Sequence, residues 1–163
     1  MEIIREETAC FTGHRFFSKE ERERLHSEVE KSVRELISRG YNTFICGGAL
    51  GFDTLAQQVV LKLREELPFI RVIMAIPCEN QDAKWSASDR AVYRSLCAQA
   101  DECVVLAKEY TPACMHIRNR YMVDNSSVVI AYYTGRNGGT AKTVQYAGST
   151  GVPIIHLASR TDR

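Results

Sequence analysis

Thr43-Phe44-Ile45-Cys46-Gly47-Gly48-Ala49-Leu50-Gly51-Phe52-Asp53 is the stretch that decides the fold. A short β-branched and aromatic run stops at three glycines within five residues, and an amphipathic segment begins directly behind them. Leu55, Ala56, Val59, Val60 and Leu63 recur there at helical spacing until Pro68. The unit is strand, glycine turn, helix, and it recurs along the chain.

Upstream, Thr8–Thr12 reads as a first strand stopped by Gly13. A helix follows from Ser18, with Leu25, Val29, Val33 and Leu36/Ile37 on one face. Ser18 is its N-cap, Glu21 the capping-box partner and Gly40 the C′ glycine. Downstream, the apolar run Ile70–Ile76, closed by Pro77, suits a parallel strand buried on both faces. A helix across Trp85–Ala100 leads to a strand at Cys103–Leu106. Pro112 opens the first turn of a helix to about Asp124, and Val128–Ala131 is the fifth strand. A helix from Gly139 to Ala147 precedes a last strand at Pro153–Leu157. Strands separated by helices require right-handed crossovers. The expected fold is therefore α/β, a doubly wound, mostly parallel, Rossmann-like sheet of about six strands with helices on both faces, in one domain over residues 1–163.

The 163 residues carry a net charge of +1, which argues against a protein that coats nucleic acid by bulk electrostatics. No run approaches the roughly 18 apolar residues of a membrane span, and Met1–Glu7 is charged where a signal peptide is apolar. A cytoplasmic location with no membrane partner is the expectation. The six cysteines form no CxxC pair, so a zinc site is not expected. Cys10, Cys46, Cys103 and Cys97 lie in apolar runs, as reduced structural thiols do. Periodicity leaves a homo-oligomer open.

Ligands of open α/β sheets bind beyond the carboxyl ends of the strands. After the first strand stand Thr12-Gly13-His14-Arg15; Gly13 turns backbone N–H groups toward an anion and Arg15 offers a fork of donors, unless both side chains simply face solvent. After the second stand Gly47, Gly48 and Gly51, placed to cradle a phosphate at a helix start. Ala49 replaces the second glycine of a dinucleotide fingerprint, so that motif is not claimed. Asp53 either addresses a ribose or serves as a first-turn acid. After the fifth stand Gly138, Gly139 and Thr140, a second anion cradle with Arg136 and Lys142 nearby; Ala141 before Lys142 rules out a Walker motif. Arg118, flanked by apolar residues on a helix, needs a phosphate, a carboxylate or backbone carbonyls as partner. Trp85, among Glu79, Asp82 and Asp89, either stacks on a base over the pocket or packs in the core.

Taken together, Cys10–Arg15, Gly47–Asp53, Arg118-Asn119 with Met122–Asp124, and Gly138-Gly139-Thr140 resemble the YpsA-like proteins of the SLOG superfamily. That Rossmann-like group also holds the LOG phosphoribohydrolases and the DNA-processing protein DprA. The resemblance covers nearly the whole chain and implies a phosphate-bearing small-molecule ligand: a nucleotide or derivative such as NAD, ADP-ribose or AMP, with no required cofactor. It implies a ligand site of Gly13, His14, Arg15, Gly47, Gly48, Gly51, Asp53, Arg118, Asn119, Gly138, Gly139 and Thr140. Met115-His116-Ile117-Arg118-Asn119 is similar to the LOG Met-His-Glu-Arg-Lys motif, which keeps the arginine. Thr143, however, stands where LOG has its catalytic glutamate. Cleavage of an N-glycosidic bond wants a nearby carboxylate. The first expectation is thus a nucleotide-binding sensor or adaptor. The alternative is an N-glycoside hydrolase using Asp53, Asp124 and Arg118. A DprA-like grip on single-stranded DNA ranks third, for want of an aromatic and basic stripe outside the ligand loops.

Overall fold

The computed structural model describes residues 2–157. Its strands are β1 (Thr8–Gly13), β2 (Thr43–Cys46), β3 (Arg71–Ile76), β4 (Glu102–Val105), β5 (Val128–Tyr132) and β6 (Ile154–His156). They form one sheet in the order β4-β3-β2-β1-β5-β6, parallel at every pairing rather than mostly so. Helices α1 (Lys19–Ser38), α2 (Phe52–Glu66), α3 (Ala87–Gln99), α4 (Cys114–Asp124) and α5 (Gly139–Ser149) alternate with them. This is the doubly wound α/β architecture that the repeated strand–turn–helix unit predicts.

The chain steps from β1 outward to β4, then returns to lay β5 and β6 on the other side of β1. Right-handed crossovers therefore cover one face with α1, α2 and α3 and the other with α4 and α5. Alternate residues of each strand feed the two layers. Ala9 and Phe11 pack into the first with Val128 and Ile130; Cys10 packs into the second with Val129 and Ala131. Both faces are apolar, which is why the strands read as unbroken hydrophobic runs.

Local chemistry sets the boundaries. Ser18 Oγ accepts from the Glu21 N–H at 3.1 Å, but the Glu21 carboxylate turns to Arg24 at 2.5 Å, so only half of the capping box forms. At the other end of α1 the Gly40 N–H bonds Ile37 O at 3.1 Å and the Tyr41 N–H bonds Leu36 O at 3.0 Å. That Schellman pattern needs the left-handed backbone of Gly40 (φ +97°). α3 starts at Ala87 rather than Trp85 because Ser86 caps it, accepting from the Asp89 N–H at 3.1 Å. Pro112 lies in the turn before α4, not in its first turn. Cys103 is exposed, since β4 is an edge strand with alternating burial, while Cys78 and Cys114 are buried outside the apolar runs.

Candidate functional site

Because β2 and β5 leave β1 in opposite directions, a crevice opens above their carboxyl ends, the usual seat of a ligand in such sheets. A cavity of about 490 Å³ lies there. The β1 loop forms one wall. Gly13 is obligatory for packing, since a Cβ would sit 2.4 Å from the Phe52 ring at the start of α2. His14 is neither solvated nor free. Its N–H bonds Tyr132 O at 3.3 Å, its carbonyl accepts from the Phe52 N–H at 3.2 Å, and its Nε2 accepts from the Thr134 N–H at 2.9 Å. It ties β1 to both neighbouring loops. Burial, with Arg136 nearby, holds this imidazole below its ordinary pKa, as an acceptor nitrogen requires. Arg15 lines the cavity mouth with its guanidinium 5.3 Å from the Phe16 ring centroid.

The β2 loop spends its glycines on packing. Gly51, at φ +87°, lies so close to Arg15 that a Cβ would come within 2.2 Å of the Arg15 carbonyl oxygen. A Cβ on Gly47 would meet Asp53 Oδ2 at 2.8 Å and Arg118 Nη1 at 2.9 Å. Gly47 and Gly48 are not among the residues lining the cavity, and Gly51 lines a neighbouring groove instead.

Asp53 and Arg118 meet at this corner, 7% and 4% exposed. Arg118 Nη1 donates to Gly47 O, and Nε donates to Asn119 Oδ1 at 2.8 Å. The partner that an apolar-flanked arginine needs is thus a backbone carbonyl beside a carboxylate. Burial pushes the Asp53 carboxyl up to about 6, against the pull of Arg118 and of a hydrogen bond from the Ala49 backbone. One carboxyl near neutrality is therefore sealed into the cavity wall.

The β5 loop differs. α5 begins at Gly139 with no side-chain cap from Gly138 and no acid in its first turn. A Cβ on Gly138 would meet nothing within 4 Å, and one on Gly139 only Asn119 Nδ2 at 3.8 Å. α2, by contrast, carries Asp53 in its own first turn. Of the two glycine cradles, the one on α5 is open to an anion. Thr143, 4% exposed, folds back on the helix with Oγ1 donating to Gly139 O at 2.8 Å.

The cavity brings together Gly13, His14, Arg15, Asp53, Arg118, Asn119, Gly138, Gly139 and Thr140. Asp124 is elsewhere: its Oδ1 accepts from Tyr146 Oη at 2.6 Å on the outer side of α4. Sequence reasoning missed Thr12, Gln81, Met115 and Asn137 as lining residues. Strand-end position marks Thr12, whereas nothing in a loop sequence signals that Gln81 is buried. Trp85 both lines the cavity and packs edge-on against Tyr93, with centroids 5.2 Å apart. Among the described residues there is no His/Cys/Asp/Glu cluster fit to hold a metal, and no helix long and apolar enough to cross a membrane.

A Rossmann-like sheet with its crevice at the switch point, walled by glycine loops, defines the class. The model of the YpsA family, described as the YspA SLOG family, matches residues 10–150, and the chain belongs to that family. It is 34% identical over 140 residues to the uncharacterized SPbeta prophage-derived protein YoqJ of Bacillus subtilis (strain 168), covering 78% of this chain and 82% of that one. A UPF0398 protein of Bacillus pumilus (strain SAFR-032) is 26% identical over 137 residues, covering 82% and 74%. Among solved structures, DNA processing protein A from Helicobacter pylori, described for its single-stranded DNA binding mode, superposes with a TM-score of 0.67 at 21% identity. That match covers 96% of this chain and 67% of the other, and it is a likeness of fold.

Proposed function

We propose that this chain binds a phosphate-bearing nucleotide or nucleotide derivative of the NAD, ADP-ribose or AMP kind and acts as a sensor or adaptor. The observation that carries the reading is the open first turn of α5. Its N–H groups have neither a side-chain cap nor an acid in the helix's own first turn, and its glycines border the cavity at the switch point. Arg15 supplies positive charge at the mouth. Asp53 would address the sugar, and as an acid raised to about 6, half protonated at that pH, it can both donate and accept. A thermal-shift screen against NAD, ADP-ribose, AMP and cyclic nucleotides tests this. Ligand at a hundred times its Kd stabilises by roughly 2.7 kcal/mol; silence from every nucleotide would sink the reading.

Asp53 also favours a second reading, N-glycosidic hydrolysis, because a buried carboxyl raised toward neutrality is suited to protonate a leaving base as general acid. It is the one candidate acid of the cavity, with Asp124 turned away and Thr143 locked on its helix. Base release from AMP that stops in Asp53→Asn would support it; release unaffected by that change would rule out this assignment.

Single-stranded nucleic acid is a third reading. Beside the cavity, Arg15 covers Phe16 and Arg22 covers Phe17 at 5.7 Å, both pairs along one groove. This is the aromatic and basic pairing that single strands use. Retardation of a labelled single strand at moderate salt, lost in Phe16→Ala, is the result it requires.

A further inference from the structure

The central cavity does not end at the glycine loops. A second chamber of about 410 Å³ adjoins it, with Gln81, Trp85 and Met115 lining both and Cys78, Lys84 and Tyr110 lining the second alone. The chamber's character differs: aromatic, thioether and thiol groups stand beside one charged side chain, Lys84, and the amides of Asn80 and Gln81. Tyr110 is 60% exposed and Met115 38% exposed, large apolar surface left open at the rim of a polar cavity. Trp85 is held from behind by Tyr93, so its ring is set in place before anything binds. The segment carrying it is braced by Asp82, 7% exposed, which receives Arg90 at 3.5 Å and Arg94 at 3.4 Å.

At the junction of the two chambers stands Gln81, 9% exposed. The Tyr93 phenol lies close to its carboxamide, yet neither Nε2 nor Oε1 has a partner of hydrogen-bonding geometry. An unpaired buried amide is costly, and such groups are retained where something else completes them. A carboxamide offers one donor and one acceptor side by side, the complement of the amino group and ring nitrogen on the edge of adenine.

We propose that this side chamber seats the planar base of the ligand, stacked among Trp85, Tyr110 and Met115, with Gln81 turning to read an adenine edge. The inference rests on the phosphate reading above and deepens it by giving the base a subsite of its own and naming the residues that hold and read it. The phosphate on α5 and the ring in the side chamber then form two halves of one site.

Calorimetric titration of the wild-type chain and of Tyr110→Ala, Trp85→Ala and Gln81→Leu separates the halves, with ribose 5-phosphate, AMP and UMP as ligands. AMP is expected to bind wild type about tenfold or more tighter than ribose 5-phosphate, the gain of one stacked base. Tyr110→Ala, at an exposed position that does not threaten folding, loses much of that gain and leaves ribose 5-phosphate unchanged. Trp85→Ala does the same, and Gln81→Leu narrows the gap between AMP and UMP. If ribose 5-phosphate binds as tightly as AMP, or if Tyr110→Ala and Trp85→Ala leave AMP untouched, the base chamber is wrong while the phosphate reading stands. Equal AMP-to-UMP ratios in wild type and Gln81→Leu overturn the edge reading. Binding of none of the three ligands overturns this inference, and the phosphate reading falls with it if NAD and ADP-ribose are silent as well.

Discussion

Asp53 shares a buried corner with Arg118, and its protonation sets the charge of the cavity wall. ADP-ribose has a diphosphate that does not titrate between pH 5 and 8, so any pH step in its affinity belongs to the protein. As pH rises through about 6, Asp53 ionises and adds a negative charge to the site. Affinity for ADP-ribose should fall across that window, and Asp53→Asn should flatten the profile; an unchanged step in the variant would place the titrating group elsewhere. His14 acts on stability instead. Its folded pKa lies below the ordinary value of 6.5, so the unfolded chain binds more protons between the two. The contribution of His14 is therefore present above 6.5 and lost as pH falls, when Nε2 must take a proton and release the Thr134 N–H. Comparing urea unfolding of wild type and His14→Ala at pH 7 and pH 5 should show the difference shrinking at the lower pH.

At the scale of elements, two glycine turns that look alike in sequence do different work. Gly51 combines a left-handed φ with a backbone contact that leaves no room for a Cβ. Gly51→Ala should cost about 3 kcal/mol or more of stability by urea unfolding, since strain and a clash add. Gly139 has neither constraint, and Gly139→Val should keep the fold while its side chain intrudes on the anion cradle and weakens ligand binding. Loss of stability in both variants, with no loss of binding specific to Gly139→Val, would contradict that division. The strand-and-helix pattern was legible because each element carries its own periodicity: the run Ile70–Ile76 against the spaced Leu25, Val29 and Val33. The division between the glycine loops was not. Composition shows that Gly47 lacks a side chain, but only the fold reveals Asp53 and Arg118 converging on its Cα.

For the whole molecule, the strand order makes the function of the loops intelligible. Residues separated by more than a hundred positions, His14 and Thr134, become hydrogen-bonded because β5 pairs with β1 across the switch point. The loops after β1 and β5 were legible as site elements from strand-end position alone. Gln81 and the side chamber were not, since they depend on the fold bringing the segment before α3 beside Met115 and Tyr93. Backbone amide NMR during titration with ADP-ribose tests the central claim most directly. The account predicts a saturable response with its largest shifts at the N–H groups of Gly139, Thr140 and Ala141, joined by Gly13 and Arg15. A response confined to the Gly47–Gly51 loop, or no response at any ligand concentration, would contradict it.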